Sequence, residues 1–368
     1  GQIAGHACGH HLFGAASVTA AIAIGKWLKA TGTPGEVRVY GSPAEEGGGG
    51  KIYLAREGLF KDVDAVIAWH AAPLNTASAS RTLAAIGVKF RFRGVAAHAS
   101  GTPDQGRSAL DGVEAMDAMV NQMREHIPSA ARIHNVITHG GDAPNVVPAF
   151  SESYYMVRHP DPAVTRDIFA RVLKAAEGAA LGTGTSVDHE IVSGELNYQP
   201  SETIGRIIDG NLRSLGRAPF SAAQRDFAAT LSQSLPGRAY VPGSETKIEP
   251  FRIGDVNSGS TDMGDVSWLV PTAGLSTVSW VPGTPPHSWQ AVAAGGTSIG
   301  TDGALLGAKT LALTAAELFQ RPELLAAARA ELMKARGENW SYTPLLGDRK
   351  PPLDYRKAGG EGASKVGQ

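Results

Sequence analysis

A change of rhythm at residue 86 limits the architectures open to this chain of 368 residues. The stretch "IGVKFRFRG" alternates apolar and charged residues, the period of a half-buried strand. A helix follows at 108–127, strands near 132–138 and 150–158, a second helix at 163–180, and a strand, "SVDHEIVSG", at 186–194. The order strand, helix, strand, strand, helix, strand predicts a ferredoxin-like two-layer α+β domain over residues 86–198. On either side the chain is rich in glycine and small residues. Before the block, a helix at 12–30 stops at "TGTPG", "EVRVYGSP" (36–43) reads as a strand, "GGKIYLAREGLF" (49–60) as a helix, and "DAVIAWH" (64–70) as a buried strand. Strand and helix alternate, which favours an α/β sheet with mainly parallel strands. After "LNYQPSE" the same style returns, with helices near 201–215 and 221–234, a strand at 274–281 and two helices within 302–336. The simplest organisation is a discontinuous α/β domain of 1–85 and 199–345, interrupted by an inserted domain of 86–198, with 346–368 as a tail. The polar, Gly-rich end at 356–368 is expected to be disordered.

Two such domains need cores, and 42% hydrophobic against 19% charged residues supplies them. Lys and Arg number 34 against 35 Asp and Glu, so no basic surplus points to nucleic acid and no polybasic run to an anionic membrane. No apolar run approaches the ~20 residues of a membrane span. A single cysteine excludes an internal disulfide framework. The chain opens on Gly1 without a signal-peptide pattern, and a cytoplasmic location is the expectation.

That one cysteine sits in "GHACGHHLFG" (5–14), beside His6, His10 and His11. Three distant segments carry matching chemistry. In "GSPAEEGGGG" (41–50), Glu45 and Glu46 follow a predicted strand, and in open α/β sheets ligands gather at the carboxyl ends of strands. Adjacent side chains diverge, so one carboxylate can bind metal while the other moves a proton. In "AVIAWHAAP", His70 ends an apolar strand; in "WVPGTPPHSW", His287 follows a strand and a Pro-rich loop. Read alone, each has a plainer meaning: a solvated acidic turn, a structural histidine, a loop histidine, a small buried thiol. Together, Cys8, His10, Glu46, His70 and His287 form a mixed sulfur, nitrogen and oxygen donor set suited to Zn or Mn. Five ligands exceed one open catalytic site, so two divalent ions per subunit is the better count. Glu45 is left as the proton shuttle, and His6 and His11 as supporting residues.

With "GVAAHAS", "GGDAPNVVP", "YYMVRHPD" and "STDMGDVSW" added in order, the chain resembles the di-metal amidohydrolase/carboxypeptidase peptidase family, which includes carboxypeptidase G, aminoacylases and auxin-conjugate hydrolases. The likeness runs from residue 1 to about 345. It implies an α/β metallopeptidase domain with an inserted ferredoxin-like dimerisation domain. It matches Cys8, His10, Glu46, His70 and His287 to the metal ligands and Glu45 to the general base. It matches His98 to a histidine that reaches across a dimer to the scissile carbonyl, and Asn145 and Arg158 to substrate-holding residues. By local sequence alone these three read as a surface loop residue, a turn former and a strand ion-pair partner. The implied reaction is hydrolysis of an amide bond to an amino acid, with an N-acyl or N-aroyl glutamate such as p-aminobenzoyl-glutamate first. A dipeptidase, a general aminoacylase and an inactive metal-binding partner subunit are the alternatives. The implied partner is a second copy or a related chain, joined through 86–198. The family carries an opening segment of strands and helices before its Cys-x-His motif, where this chain has seven residues before Cys8. That part of the catalytic sheet is expected to be missing. The amidohydrolase branch commonly has Asp after the ligand His; here the position is His11, which bears on how His10 is oriented.

Overall fold

The computed structural model describes residues 5–235, 237 and 240–353, so the end at 356–368 lies outside the described residues. Helix α1 (His10–Thr31) leads into the short α2 (Gly50–Arg56) and strand β1 (Val66–Ala72). Strands β2 (Ala79–Arg81) and β3 (Ala84–Arg93) enter the inserted block, which continues through α3 (Ala109–Met123), β4 (Arg132–His139), β5 (Phe150–His159), α4 (Pro162–Thr183) and β6 (Ser186–Glu195). The chain then returns through α5 (Glu202–Leu215), α6 (Ala222–Ser232), β7 (Ile253–Val256), α7 (Met263–Ser267), β8 (Thr272–Val278), α8 (Trp289–Gly295), α9 (Ser298–Gln320) and α10 (Pro322–Arg336).

The inserted block is a four-stranded antiparallel sheet in the order β4-β5-β3-β6. Its alternation works as the sequence suggests. Val88, Phe90 and Phe92 turn inward and pack with Met116 of α3, Tyr155 of β5 and Val172 of α4. Between them Lys89 and Arg91 turn outward, where Arg91 binds Glu152 at 2.9 Å and Glu190 at 2.6 Å. Asp161 caps α4 by accepting from the backbone N–H groups of Ala163 and Val164, with Pro162 at the first helical turn. Among the described residues the strand β4 pairs only with β5, and its outer edge exposes Val136 and Ile137.

In the other half, β1 and β8 run parallel, Val66 to Ala72 against Thr272 to Val278. Trp69 is the centre of this core: its indole N–H donates to Thr277 Oγ1 at 2.7 Å, and it is 1% exposed. Helix α9 reaches it because residue 307 is glycine; a Cβ there would stand 2.3 Å from the indole ring. Helix α1 lays Leu12, Ala16, Ala20, Ile24 and Leu28 into the core at four-residue intervals. Contrary to the sequence expectation, α1 is long and apolar enough to cross a membrane by length and composition. Scattered Gly, Ser, Thr and Lys break its apolar runs while its mean character stays apolar.

Residues 36–43 were expected to be a strand and are not. A cavity of about 380 Å³ is lined by Val37, Val39, Tyr40 and Ser42 together with Val66, Ile67 and Ala68 of β1. The segment joins no strand ladder among the described residues, so the alternation of Val37 and Val39 is not used in a sheet. Helix α2 stops at Arg56, short of the expected residue 60, because Gly58 turns left-handed with φ 76°. The short pair β2–β7 and the helices α7 and α8 were not foreseen.

The segment after α10 crosses from one half to the other. Arg56 of α2 donates to the Arg349 carbonyl at 2.6 Å, and Tyr53 to that of Lys350 at 3.2 Å. From the same stretch Arg349 reaches the Val192 carbonyl at 3.0 Å and Glu190 at 3.1 Å, and Leu345 packs with Ala84, Ile86 and Leu196. Gly194 has no Cβ because the backbone of Leu345 and Leu346 would lie 2.6 Å from it.

Candidate metal centre

Four segments bring their chemistry together at the carboxyl ends of the parallel strands. The first begins at Cys8. Gly9 follows in the left-handed region, φ 78°, and a Cβ on it would meet Ala71 at 2.6 Å. That turn lets Cys8 and His10 both face the end of β1. The second segment holds Glu45 and Glu46 between Ala44, φ 62°, and the glycines that open α2. Gly50 is needed there, since a Cβ would meet the Pro43 carbonyl at 2.0 Å. His70, on β1, is the third. His287 is the fourth; it has φ 59°, and its backbone N–H donates to the Ala7 carbonyl at 3.0 Å. Among the described residues, Ala44 and His287 are the two non-glycine positions with positive φ, and both lie here. Such strain collects where side chains are aimed for function.

The distances are short. Cys8 Sγ lies 3.5 Å from His70 Nε2, and His287 Nε2 lies 3.1 Å from Glu46 Oε1. The rings of His10 and His70 meet edge to face at 5.4 Å. Three overlapping triplets, Cys8–His10–His70, Cys8–Glu46–His287 and His10–Glu45–Glu46, each hold their donor atoms within 4.8 Å of one another. His70 Nδ1–H donates to the Ala71 carbonyl at 2.7 Å, which turns the Nε2 lone pair toward the cluster. Burial lowers the pKa of His70 and so favours the neutral imidazole a ligand must be. Burial, and then the Glu46 carboxylate, push the Cys8 thiol up to about 12. A thiol and two carboxylates crowded in this way repel one another as anions, and a cation between them reverses that. His11 Nε2 points instead at the Gly295 carbonyl, 3.4 Å away, and His11 stacks on His6 at 4.9 Å.

Glu45 differs from its neighbour. Burial raises its pKa above the usual carboxylate range, and a hydrogen bond from Thr261 Oγ1, at 2.9 Å to Oε1, pulls the other way. Arg158, on β5, reaches Ser260 Oγ with Nη1 at 3.4 Å, while its buried Nε has no partner among the described residues. Ser260 and Thr261 are adjacent, so Arg158 and Glu45 meet the same short loop. His98 and Asn145 go together elsewhere in the inserted block. His98 bridges to Val146, the Ala99 N–H donates to the Asn145 carbonyl at 3.0 Å, and both side chains are exposed. The Gly101 N–H donates to His98 Nδ1 at 3.1 Å, leaving Nε2–H directed outward.

Several residues near the site were not singled out from sequence. Lys51 and Asp262 form a buried ion pair at 2.9 Å, with side chains 8% and 2% exposed. Glu195 flanks Ala85 in the ladder, on the side opposite Arg158. Burial and the nearby Asp265 push the Glu195 carboxyl up to about 8, while Arg158 pulls it down. The motif "STDMGDVSW" was the one signal for this region, and it showed no role for its members.

The peptidase dimerisation domain model matches residues 82–183. One of the subunits of the p-aminobenzoyl-glutamate hydrolase of Escherichia coli is 41% identical, over 93% of this chain and 76% of its own length. The Xaa-Arg dipeptidase of Mus musculus is 31% identical, over 89% of this chain and 70% of its own length. Among solved structures, a dinuclear metal binding peptidase of the M20 family from Bacillus subtilis superposes with a TM-score of 0.57 over 86% of this chain and 73% of that one, at 15% identity. That last likeness concerns the fold.

Proposed function

Because the chain belongs to the M20 peptidase family, we propose that it hydrolyses the amide bond between an acyl or aroyl group and an amino acid, with p-aminobenzoyl-glutamate as the first substrate. One observation carries this: donors from four segments converge around a second carboxyl, Glu45, that is held by a hydroxyl rather than by another ligand. Cys8, His10, Glu46, His70 and His287 would hold two divalent ions. Sulfur, nitrogen and oxygen donors in one set suit Zn or Mn better than Ca or Mg. Such ions, when bound, polarise the substrate carbonyl and acidify the attacking water.

The remaining work falls to side chains. Glu45 takes a proton from the attacking water and delivers it to the leaving nitrogen, so the amide gives one acid and one amine. Arg158 presents its unpaired Nε–H toward the free carboxylate of the amino-acid half, as a guanidinium fork suits a carboxylate. Asn145 and the outward Nε2–H of His98 serve a site in the partner subunit, where they donate to the carbonyl oxygen as charge develops. The free edge of β4, with Val136 and Ile137 exposed, offers the surface for pairing with a second copy or a related chain. The test is release of p-aminobenzoate and glutamate by the metal-loaded protein, abolished by chelation and restored by Zn or Mn. No release from that substrate or from a panel of N-acyl amino acids would overturn the reading in favour of an inactive partner subunit.

A second reading, a dipeptidase that releases a basic residue, has its own support. Glu195 stands across Ala85 from Arg158, where a carboxyl suits a cationic side chain, and the mouse relative is an Xaa-Arg dipeptidase. Comparing kcat/KM for glutamate- and arginine-terminated substrates separates the two.

The trans role of His98 predicts complementation. His98→Ala and Glu45→Gln subunits are each inactive, and in a random mixture half the dimers combine one of each. Each mixed dimer then has one intact site, so mixing restores about a quarter of parental activity. Mixed dimers that form without regaining activity would show that His98 acts within its own subunit or not at all.

A further inference from the structure

Given Glu45 as the general base, we propose that Thr261 is its positioning residue: the hydroxyl holds one carboxylate oxygen so that the other faces the reacting water. The inference rests on the reading of Glu45 in the preceding subsection. Glu45 sits in a loop poorly suited to hold anything still. Ala44 precedes it in a strained backbone region, and Gly47, Gly48, Gly49 and Gly50 follow. The loop's own bonds are backbone to backbone: the Gly48 and Gly49 N–H groups donate to the Ala44 carbonyl at 2.8 and 2.9 Å. They fix the turn and leave the Glu45 side-chain torsions free. The hydrogen bond at 2.9 Å to Oε1 comes from Thr261, 216 residues away.

Two features fit Thr261 for this. Its oxygen receives the Met263 N–H at 3.4 Å, which leaves the hydroxyl proton for Glu45. Its branched Cβ restricts the side chain to few rotamers, so the donor direction is set by the backbone. That backbone is anchored in turn. Asp262 accepts from both the backbone N–H and the ammonium of Lys51, each at 2.9 Å, which ties the start of α7 to the start of α2 immediately after the Glu45 loop. Ser260, on the other side of Thr261, accepts from Arg158. The three consecutive residues 260–262 thus hold the residue for the substrate carboxylate, the base and the helix that follows the base. A purely structural Thr261 would be explained by capping α7. Its bond to Met263 lies at the long end of hydrogen-bond range, however, and the residue at the cap position, Asp262, makes no side-chain cap bond.

The experiment compares Thr261→Val, which keeps the shape and removes the donor, with Thr261→Ser, which keeps the donor. Each is measured in the parent and in a Glu45→Gln background, with metal content and melting temperature recorded. Thr261→Val is expected to lower kcat roughly 10- to 100-fold, the scale of a misplaced catalytic group, with KM within about twofold. Metal content stays at the parental level, and Thr261→Ser recovers most of the rate. In the Glu45→Gln background Thr261→Val adds no further loss, because there is no base left to aim. Parental kcat in Thr261→Val would overturn the proposal. So would an undiminished loss in the Glu45→Gln background, or a loss that follows metal content. If Glu45→Gln itself keeps its rate, the base assignment fails, and that outcome is read without reference to Thr261.

Discussion

Glu45→Gln lowers the rate of amide hydrolysis at least ~100-fold while the protein holds as much metal as its parent. The substitution is nearly isosteric. Its amide oxygen still accepts from Thr261 Oγ1, as Oε1 does now at 2.9 Å, so the loop keeps its tether. What disappears is the capacity to take up a proton. Stability is not expected to suffer, because burial and the neighbouring Asp262 carboxylate both disfavour charge on Glu45, and Gln carries none. The melting temperature should equal or exceed that of the parent. This combination separates chemistry from folding: a dead, well-folded, metal-replete protein is the expected result. Near-parental turnover would remove Glu45 from the mechanism, and inactivity with lost metal would reassign it as a ligand.

Asp262→Ala is the most damaging substitution expected for folding. Its carboxylate satisfies two donors of Lys51, the ammonium and the backbone N–H, and both side chains are almost wholly buried. Removing one member strands a buried ammonium, and such losses cost about 3–5 kcal/mol. The same pair matters much less as a pair, since two well-packed apolar residues can replace buried ions at little cost. Hence Lys51→Met added to Asp262→Ala should recover a large part of the loss. Urea unfolding of the three variants measures this. A single-variant cost below ~1 kcal/mol would show that water reaches Lys51 when its partner is gone.

These two residues show what the amino-acid order reveals and what it hides. The proton-shuttle role proposed for Glu45 drew on the other donor segments and the family likeness, whereas the acidic turn itself was legible because its doublet and glycines lie within ten residues. The inserted sheet was legible for the same reason: Lys89, Phe90, Arg91 and Phe92 announce two faces without help from elsewhere. Cys8, His10, Glu46, His70 and His287 were grouped by residue type and strand-end position, and the fold brings their donor atoms close together. Lys51 was hidden. It reads as an ordinary surface lysine at a helix start, and its burial is decided by a partner 211 residues away. Residues 36–43 erred in the opposite sense, since their local alternation is sound and a strand also needs a pairing partner, which this segment lacks among the described residues. His98 and Asn145 read locally as a surface loop residue and a turn former, and the fold leaves both exposed, so the role proposed for them drew on the family likeness alone.

The stretch from Trp340 to Lys350 stitches the two halves together. It is fastened to α2 through Tyr53 and Arg56, to α7 through Tyr342 on Asp265 at 2.7 Å, and to β6 through Arg349. Because α2 and α7 lie in one half and β6 in the other, drawing the inserted sheet away would load this stretch from both ends. For anyone engineering this protein, trimming to Arg336 would take Leu345 and Leu346 away from Gly194 and remove the bonds to Tyr53, Arg56 and Asp265.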